Sequence, residues 1–135
     1  MITAVDTNVL IDVLGANATF GPVCSRAIRR CLGDGALVAC EIVWAETTAN
    51  FVSGEAARTA LGRLRVEFSA VELASAAAAG ESWRRYRQAG GSRQRAAPDF
   101  FIGAHALRQA DRLLTRDRGF YRGYFDNLEI LDPTA

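Results

Sequence analysis

Short apolar segments alternate with longer segments of helical pattern along the whole chain. The apolar segments predict strands over residues 2–6, 36–40, 66–71, 113–115 and 128–131. Alternation of this kind favours parallel strands whose connecting helices pack on both faces of the sheet. The sequence therefore predicts an α/β fold with a mostly parallel sheet of four to five strands.

Helix boundaries are indicated by residues that begin or end helices. Thr7 or Asn8 is placed to cap a first helix that runs to residue 13. A second helix opens at Gly21-Pro22 and ends at residues 33–35, which contain two glycines. Further helices are predicted over residues 41–52, 54–64, 73–88 and 98–109. Because no repeat, linker or low-complexity tract interrupts the pattern, we predict a single domain over residues 1–135.

The overall composition is that of a folded protein. Half of the residues are hydrophobic and 23% are charged, which excludes a disordered chain. The formal net charge of +1 provides no global attraction to nucleic acid, so any such binding must come from a local arrangement. All 16 basic residues are arginine, and chemistry that requires a lysine side chain is therefore excluded.

The cysteines and the amino-terminal segment indicate where the chain resides. Cys24, Cys31 and Cys40 form neither an even set nor a closely spaced metal-binding pair, and we expect them to pack as small apolar groups. This pattern is typical of a reduced, cytoplasmic protein. Asp6 and Asp12 interrupt the apolar residues near the start, so we expect neither a signal peptide nor a membrane span.

Four acidic residues are placed where predicted elements end or begin. They are Asp6 after the first strand, Glu46 in an apolar helix, Asp99 after Pro98 and Asp117 after the fourth strand. Open parallel sheets bind ligands beyond the carboxyl ends of their strands, and the starts of the following helices face the same edge. Carboxylates gathered at this edge would repel one another and require a hard cation such as Mg²⁺ or Mn²⁺.

Each acid also has an ordinary structural explanation. Asp6 suits a helix cap, and Asp99 suits the first turn of a helix. Asp117 lies in a segment with turn chemistry. Glu46 has hydrophobic neighbours on both sides and is harder to explain in this way, although a snorkelling or solvent-edge side chain is an alternative. Glu41 is the neighbouring acid whose place at a helix start needs no function. It is the joint placement of the four that favours a site.

The segments that carry these acids resemble the PIN-domain ribonucleases, and within them the VapC toxins of bacterial toxin–antitoxin systems. The resemblance is carried by VDTNVLI at residues 5–11, VWAE at 43–46, APDFFIGA at 97–104 and LLTRD at 113–117. It implies a PIN-like three-layer α/β/α sandwich and an endoribonuclease that hydrolyses RNA phosphodiester bonds with Mg²⁺, for which Mn²⁺ can substitute. The residues that the resemblance assigns to the metal site are Asp6, Asp99, Glu46 and Asp117, supported by the hydroxyl of Thr115.

The same resemblance implies protein partners. A VapC-like chain is expected to form a homodimer and to be neutralised by a VapB-like antitoxin whose carboxyl-terminal tail covers the acidic site. Apolar residues that suit either such contacts or the core are Val9, Leu10, Val13, Leu14, Phe51 and Val52. Two alternatives stay open at this point, a PIN-like nuclease of RNA processing and a module that only binds RNA or protein. Clustered acids favour the catalytic interpretations, because a pure binding module gains nothing from them.

Contact with RNA is predicted mainly from arginines beside the acid motifs. These substrate-binding candidates are Arg93 and Arg95 before Asp99, and Arg116 and Arg118 beside Asp117. The segment WRRYR at residues 83–87 can also grip phosphates and stack on bases, although a solvated basic face explains Arg84 and Arg85 slightly better. The lone histidine, His105, lies six residues after Asp99 and off its helix face, so we expect a packed or surface side chain and not a catalytic one.

An aspartyl-phosphate chemistry is the main enzymatic rival. An aspartate after the first strand also marks phosphotransferases and phosphate-accepting receiver domains. The phosphotransferases usually carry a second aspartate two residues later, where this chain has Asn8, and the receivers rely on a lysine that this chain lacks. Both interpretations are therefore poor.

Overall fold

Strands and helices alternate along the chain as the sequence predicts. The computed structural model describes residues 1–91 and 97–135. Within them the elements are β1 (Ile2–Val5), α1 (Thr7–Leu14), α2 (Gly21–Asp34), β2 (Ala36–Ala39), α3 (Glu41–Thr48), α4 (Gly54–Arg63), β3 (Val66–Phe68), α5 (Leu73–Gln88), α6 (Ala97–Gln109), β4 (Arg112–Leu114), α7 (Arg118–Tyr124) and β5 (Ile130–Leu131).

The five strands of the described residues form one sheet in the order β3-β2-β1-β4-β5, and each pairing is parallel. The first strand lies in the middle, with Ala4 opposite both Val38 of β2 and Leu113 of β4. Parallel strands require crossover connections, which the intervening helices supply. The predicted α/β/α sandwich is confirmed, and the carboxyl ends of β1 and β4 meet at the same edge.

The core occupies both faces of the central strands. Ala4, Val5 and Leu113 are buried in the sheet, and Val9 and Leu10 of α1 are fully buried against it. Of the apolar residues proposed for either the core or a partner, Val9 and Leu10 thus belong to the core. The others are more accessible: Val13, Leu14 and Phe51 are half-buried, and Val52 is 99% exposed.

Several boundaries differ from the sequence-based expectation: β3 ends at Phe68 and not at residue 71, and β5 covers Ile130–Leu131 and not residues 128–131. The third helix ends at Thr48, four residues before the predicted end. The reason is the next helix: the hydroxyl of Ser53 accepts a hydrogen bond from the N–H of Ala56 at 3.1 Å, so Ser53 caps α4 in an extended conformation. The chain must therefore leave the helical conformation before residue 53.

A helix over Arg118–Tyr124 was not predicted at all. The sequence predicts only a turn over residues 115–119, and Gly119 and Gly123 lower the intrinsic helix propensity of the short segment that follows Asp117. Its stability comes from aromatic packing, since the ring of Phe120 lies 5.2 Å from that of Phe100 on α6. Tertiary contacts override the local preference here.

The cysteines and the histidine pack as expected. Cys24, Cys31 and Cys40 are buried free thiols. His105 is 1% exposed, its Nε2 lies 3.0 Å from the hydroxyl of Ser69, and burial lowers its pKa. Of the two expected places for His105, packed or at the surface, the structure shows the packed one. In the part of the chain that the structure describes, none of the helices is long and apolar enough to cross a membrane.

Candidate active site

Asp6 lies where β1 ends and α1 begins. Its backbone is extended, at φ −81° and ψ 154°, and its Oδ1 accepts a hydrogen bond from the N–H of Thr7 at 2.7 Å. Asp6 therefore caps α1, as its ordinary structural explanation predicts, and the cap predicted at Thr7 or Asn8 is wrong. The physical reason is that Thr7 and Asn8 are already part of the helix, so only the residue before them has the extended backbone that a cap requires.

The second carboxylate oxygen of Asp6 collects hydrogen bonds from three further side chains. Its Oδ2 accepts from the hydroxyl of Thr115 at 2.8 Å and from that of Tyr121 at 3.0 Å. The amide of Asn8 is a longer donor at 3.4 Å. Among the described residues, all the donors that the structure gives Asp6 are neutral, although the side chain is only 5% exposed.

The environment of Asp6 opposes its negative charge. Burial raises the pKa of Asp6 to about 6, and the nearby charge of Asp99 acts in the same direction. The hydrogen bonds from Thr115, Tyr121 and Thr7 lower this pKa and only partly offset the burial. A carboxylate in this setting is stabilised by a cation placed beside it.

Asp99 and Asp117 lie close enough to the hydroxyl of Tyr121 to affect its pKa. Asp99 is in the first turn of α6, and Asp117 is the residue before α7; both are half-buried. Burial raises the pKa of Tyr121 well above its ordinary value, and the charges of Asp6, Asp99 and Asp117 raise it further. The charges of three of the four predicted acids therefore act on the hydroxyl of Tyr121, and of these Asp6 accepts its hydrogen bond.

Glu46 lies on α3 at the outer side of this group and is exposed. Its Oε1 accepts a hydrogen bond from the hydroxyl of Thr7 at 2.7 Å, which ties it to the residue that follows Asp6. The amide of Asn50 donates to the backbone oxygen of Glu46 at 3.0 Å, one turn later. The structure thus places Glu46 beside the start of α1, where it binds the hydroxyl of Thr7.

Thr115 links the two acids at the ends of β1 and β4. Its fully buried hydroxyl donates to Asp6 and accepts from the backbone N–H of Asp117 at 3.0 Å. The amide of Asn8 also donates to it, at 3.3 Å. One hydroxyl therefore sets the distance between the carboxyl end of β1 and the turn that begins α7.

The acids do not form a ready-made metal cage. Within residues 1–91 and 97–135, no three Asp, Glu, His or Cys side chains are grouped so that they could hold an ion together. Mg²⁺ usually keeps several waters and takes only one or two carboxylates directly. The arrangement around Asp6 and Asp99 has the oxygen chemistry that this ion prefers, so the donor set fits even though the side chains are not clustered.

The predicted RNA-binding arginines have different surroundings. The guanidinium of Arg116 binds the buried carboxylate of Asp12, with Nε 2.5 Å from Oδ2, and lies over the ring of Phe20 at 4.0 Å. Arg118 is half-exposed, with Nε 3.5 Å from Oδ2 of Asp132. Arg93 and Arg95 lie outside the described residues. Contact of these four arginines with a substrate stays a prediction.

Sequence reasoning missed three polar residues of the site. Tyr121 lies in a helix that the sequence does not predict, and the sequence pattern of Asn8 is that of a helix cap. In the sequence Asp12 only interrupts an apolar stretch, whereas in the structure it is 5% exposed and paired with Arg116. An acid at the centre of an apolar helix was the available signal for Asp12, because such a group needs a partner. Tyr121 carried no comparable signal.

The parallel sheet carries Asp6 and Asp117 at the carboxyl ends of β1 and β4. Comparison with protein families identifies the class of protein to which this chain belongs. The chain belongs to the PIN domain family, whose model matches residues 3–126. The matched region contains the four predicted acids, Thr115 and Tyr121. The predicted resemblance to PIN-domain proteins is therefore confirmed.

Solved structures of similar fold cover nearly the whole chain. VapBC-1 from nontypeable Haemophilus influenzae has a TM-score of 0.76 at 22% identity and covers 100% of both chains. VapBC2 from Rickettsia felis, bound to a DNA fragment from its promoter, has 0.75 at 20% identity and covers 97% of this chain and 98% of that one. A toxin–antitoxin complex from Klebsiella pneumoniae has 0.68 at 20% identity and covers 97% of both. No curated protein matches the chain. At these identities the likeness establishes the fold.

Proposed function

We propose that this chain, acting as a single PIN domain over residues 1–135, is a metal-dependent endoribonuclease of the VapC type that hydrolyses RNA phosphodiester bonds in the cytoplasm. The observation that carries the proposal is the buried carboxylate of Asp6, whose pKa is raised by burial and by Asp99 at the carboxyl edge of a parallel sheet. Because burial and the charge of Asp99 disfavour the negative charge of Asp6, a cation beside this carboxylate stabilises it. Membership of the PIN family supports the same conclusion.

The ion proposed for the site is Mg²⁺, with Mn²⁺ as a substitute. Asp6 and Asp99 are proposed as direct ligands, and Glu46 and Asp117 as acids that hold water molecules of the ion or complete a second position. When bound, a divalent ion supplies a Lewis acid for a phosphodiester oxygen and makes a water molecule more acidic. All four side chains offer hard oxygen donors, which is the ligand type that distinguishes Mg²⁺ sites from zinc sites.

The protein residues orient the acids for this role. The N–H of Thr7 and the hydroxyls of Thr115 and Tyr121 fix the rotation of the Asp6 carboxylate. Thr115 also receives the N–H of Asp117, so Asp117 keeps its position relative to Asp6. Preorganised charge of this kind needs no rearrangement when a phosphate arrives.

The partners proposed are a VapB-like antitoxin and a second copy of the chain. The support is the class of the similar structures, which include a toxin–antitoxin complex and two VapBC complexes. On this chain, Ile11, Leu14 and Phe51 line an open cavity next to the fully exposed Val52. Apolar surface of this kind is suited to a protein contact.

Cleavage of total bacterial RNA tests the activity. Purified protein is incubated with Mg²⁺, Mn²⁺ or EDTA, beside the variants Asp99→Asn and Asp126→Asn. We expect discrete products with either metal, none with EDTA and none with Asp99→Asn. Asp126 is an exposed aspartate of the segment after α7, so Asp126→Asn should cut like the wild type.

Two outcomes would contradict the proposal. Cleavage that persists in EDTA or in Asp99→Asn would show a contaminant or a metal-independent mechanism. Metal-dependent RNA binding without any product, in all samples, would favour the binding-module alternative. Sequencing of the product ends identifies the RNA that is cut, and a small adjacent gene whose product blocks cleavage would separate a toxin from a nuclease of RNA processing.

A further inference from the structure

Tyr121 is the largest of the fully buried side chains in the described residues and is 1% exposed. A buried tyrosine normally places its hydroxyl on a hydrogen-bond partner, and any backbone oxygen of the core would satisfy it. The partner here is Oδ2 of Asp6, at 3.0 Å. Asp6 is also the most buried of the four acids in the proposed metal site, as Asp99 and Asp117 are half-buried and Glu46 is exposed.

The hydroxyl of Tyr121 acts together with that of Thr115. Both donate to the same oxygen of Asp6, but they come from different elements, α7 and the end of β4. The other oxygen of Asp6 receives the N–H of Thr7 at 2.7 Å. With donors on both oxygens, the carboxylate cannot rotate without breaking at least one bond. Thr115 alone would leave more rotational freedom, so the second hydroxyl has a specific effect on orientation.

The position of the Tyr121 hydroxyl is itself fixed by aromatic packing. The ring of Phe120 lies 5.2 Å from Phe100, and that of Tyr124 lies 5.4 Å from Tyr86 on α5. Phe100 is the residue after Asp99 on α6. The packing that holds α7 in place therefore also sets where α7 stands relative to Asp99.

We propose that Tyr121 is a positioning residue of the acid site, whose hydroxyl holds the Asp6 carboxylate in the orientation that takes a divalent ion beside Asp99. This inference rests on the proposed function. Thr115 was expected from the family resemblance to support the metal site, whereas Tyr121 was not, and it lies on a helix that the sequence did not reveal. A tyrosine that only fills the core would affect folding and leave metal affinity unchanged.

The test is the affinity for Mn²⁺ of the full chain without RNA, measured by isothermal titration calorimetry well below the melting temperature. Tyr121→Phe keeps the ring and removes one hydroxyl. Groups that orient metal ligands typically contribute roughly 10- to 100-fold in metal affinity, and we expect a weakening of that size. The matched control is Tyr124→Phe, which removes a hydroxyl from the same helix, three residues later, and should bind Mn²⁺ like the wild type.

A double-mutant cycle identifies the residue through which Tyr121 acts. Both Asp6→Asn and the double variant Asp6→Asn/Tyr121→Phe should have equally low affinity for Mn²⁺, because the hydroxyl has no carboxylate left to orient. Replacement of Tyr121 by p-aminophenylalanine restores an N–H donor at the same position. This variant should recover most of the wild-type affinity, and it remains informative if Tyr121→Phe folds poorly.

The outcomes separate this inference from the proposed function. If the wild type binds Mn²⁺ and Tyr121→Phe binds it equally well, the role of Tyr121 is overturned while the metal-dependent nuclease stands. The same conclusion follows if p-aminophenylalanine binds as weakly as phenylalanine. If the wild type does not bind Mn²⁺ at all, the role of Tyr121 and the proposed metal-dependent function are both overturned. A weaker affinity in Tyr121→Phe, with wild-type affinity in Tyr124→Phe, supports the inference.

Discussion

The guanidinium of Arg116 binds both carboxylate oxygens of Asp12, with Nε 2.5 Å from Oδ2 and Nη2 3.3 Å from Oδ1. Arg116 stands between Thr115 and Asp117, and its backbone N–H donates to the side chain of Asn8 at 3.3 Å. This ion pair therefore ties the turn after β4 to α1. Thr115, which donates to Asp6, and Asp117, one of the four acids, lie directly before and after Arg116 in the chain.

Removal of the Arg116 side chain should therefore destabilise the fold. Arg116→Met leaves the carboxylate of Asp12, 6% exposed, without its charged partner. Loss of one member of a buried pair costs about 3 kcal/mol in free energy of unfolding, which urea titration measures. The control is Arg118→Met, whose exposed contact with Asp132 should contribute less than about 1 kcal/mol. Unchanged stability with weaker RNA binding would instead favour the predicted substrate contact of Arg116.

Asp6→Asn should stabilise the metal-free protein at neutral and alkaline pH while abolishing cleavage. The pKa of Asp6 rises from 3.8 to about 6 on folding, so the folded state binds the proton more tightly. The wild type therefore loses stability as the pH rises from about 4 to about 6, by at most about 3 kcal/mol. Asparagine has no charge to lose and is an equally good helix cap.

Urea titrations between pH 4 and pH 8 in EDTA measure this difference. The advantage of Asp6→Asn should grow with pH and level off above about pH 6. Asp126→Asn, which changes an exposed aspartate, should follow the wild type. An Asp6→Asn protein less stable than the wild type at pH 8 would show that the hydrogen bonds to the carboxylate outweigh its burial.

His105 should give the opposite dependence on pH. Burial lowers its pKa from 6.5, so the unfolded chain binds the proton more readily than the folded one. Stability is therefore lost as the pH falls below about 6.5. In His105→Gln, which keeps a polar group near Ser69, this loss should be absent, and urea titrations at pH 5 and pH 7 compare the two proteins. If both proteins lose the same free energy of unfolding between pH 7 and pH 5, His105 is excluded as the cause of that loss.

Gly103→Ala tests the packing that holds α7. A methyl group at residue 103 would lie 2.4 Å from Cε2 of Phe125, so the ring or α6 must move. Overpacking of this kind costs about 1–3 kcal/mol, measured by urea titration, and we expect weaker Mn²⁺ binding as α7 shifts. Gly80→Ala on α5 meets nothing within 4 Å and should raise stability by up to about 1 kcal/mol.

The sequence by itself determined the architecture and the candidate acids. The signals that mark the elements are local: apolar segments of strand length, Pro98 in a first helical turn and glycines at residues 33–35. Because each of them acts over a few neighbouring residues, its effect can be read from the sequence alone. The acids after β1 and β4 were found for the same reason, because a carboxylate at the end of an apolar strand is a local pattern. Parallel pairing then places both at one edge.

Only the tertiary structure decided how the acids are held. The hydroxyl of Tyr121 reaches Asp6 across 115 residues of sequence, and Arg116 reaches Asp12 across 104. These bonds depend on where α7 and the turn before it pack, and the aromatic rings that fix α7 come from α5 and α6. No periodicity or local propensity encodes such contacts, since their free energy arises from burial and distance in three dimensions.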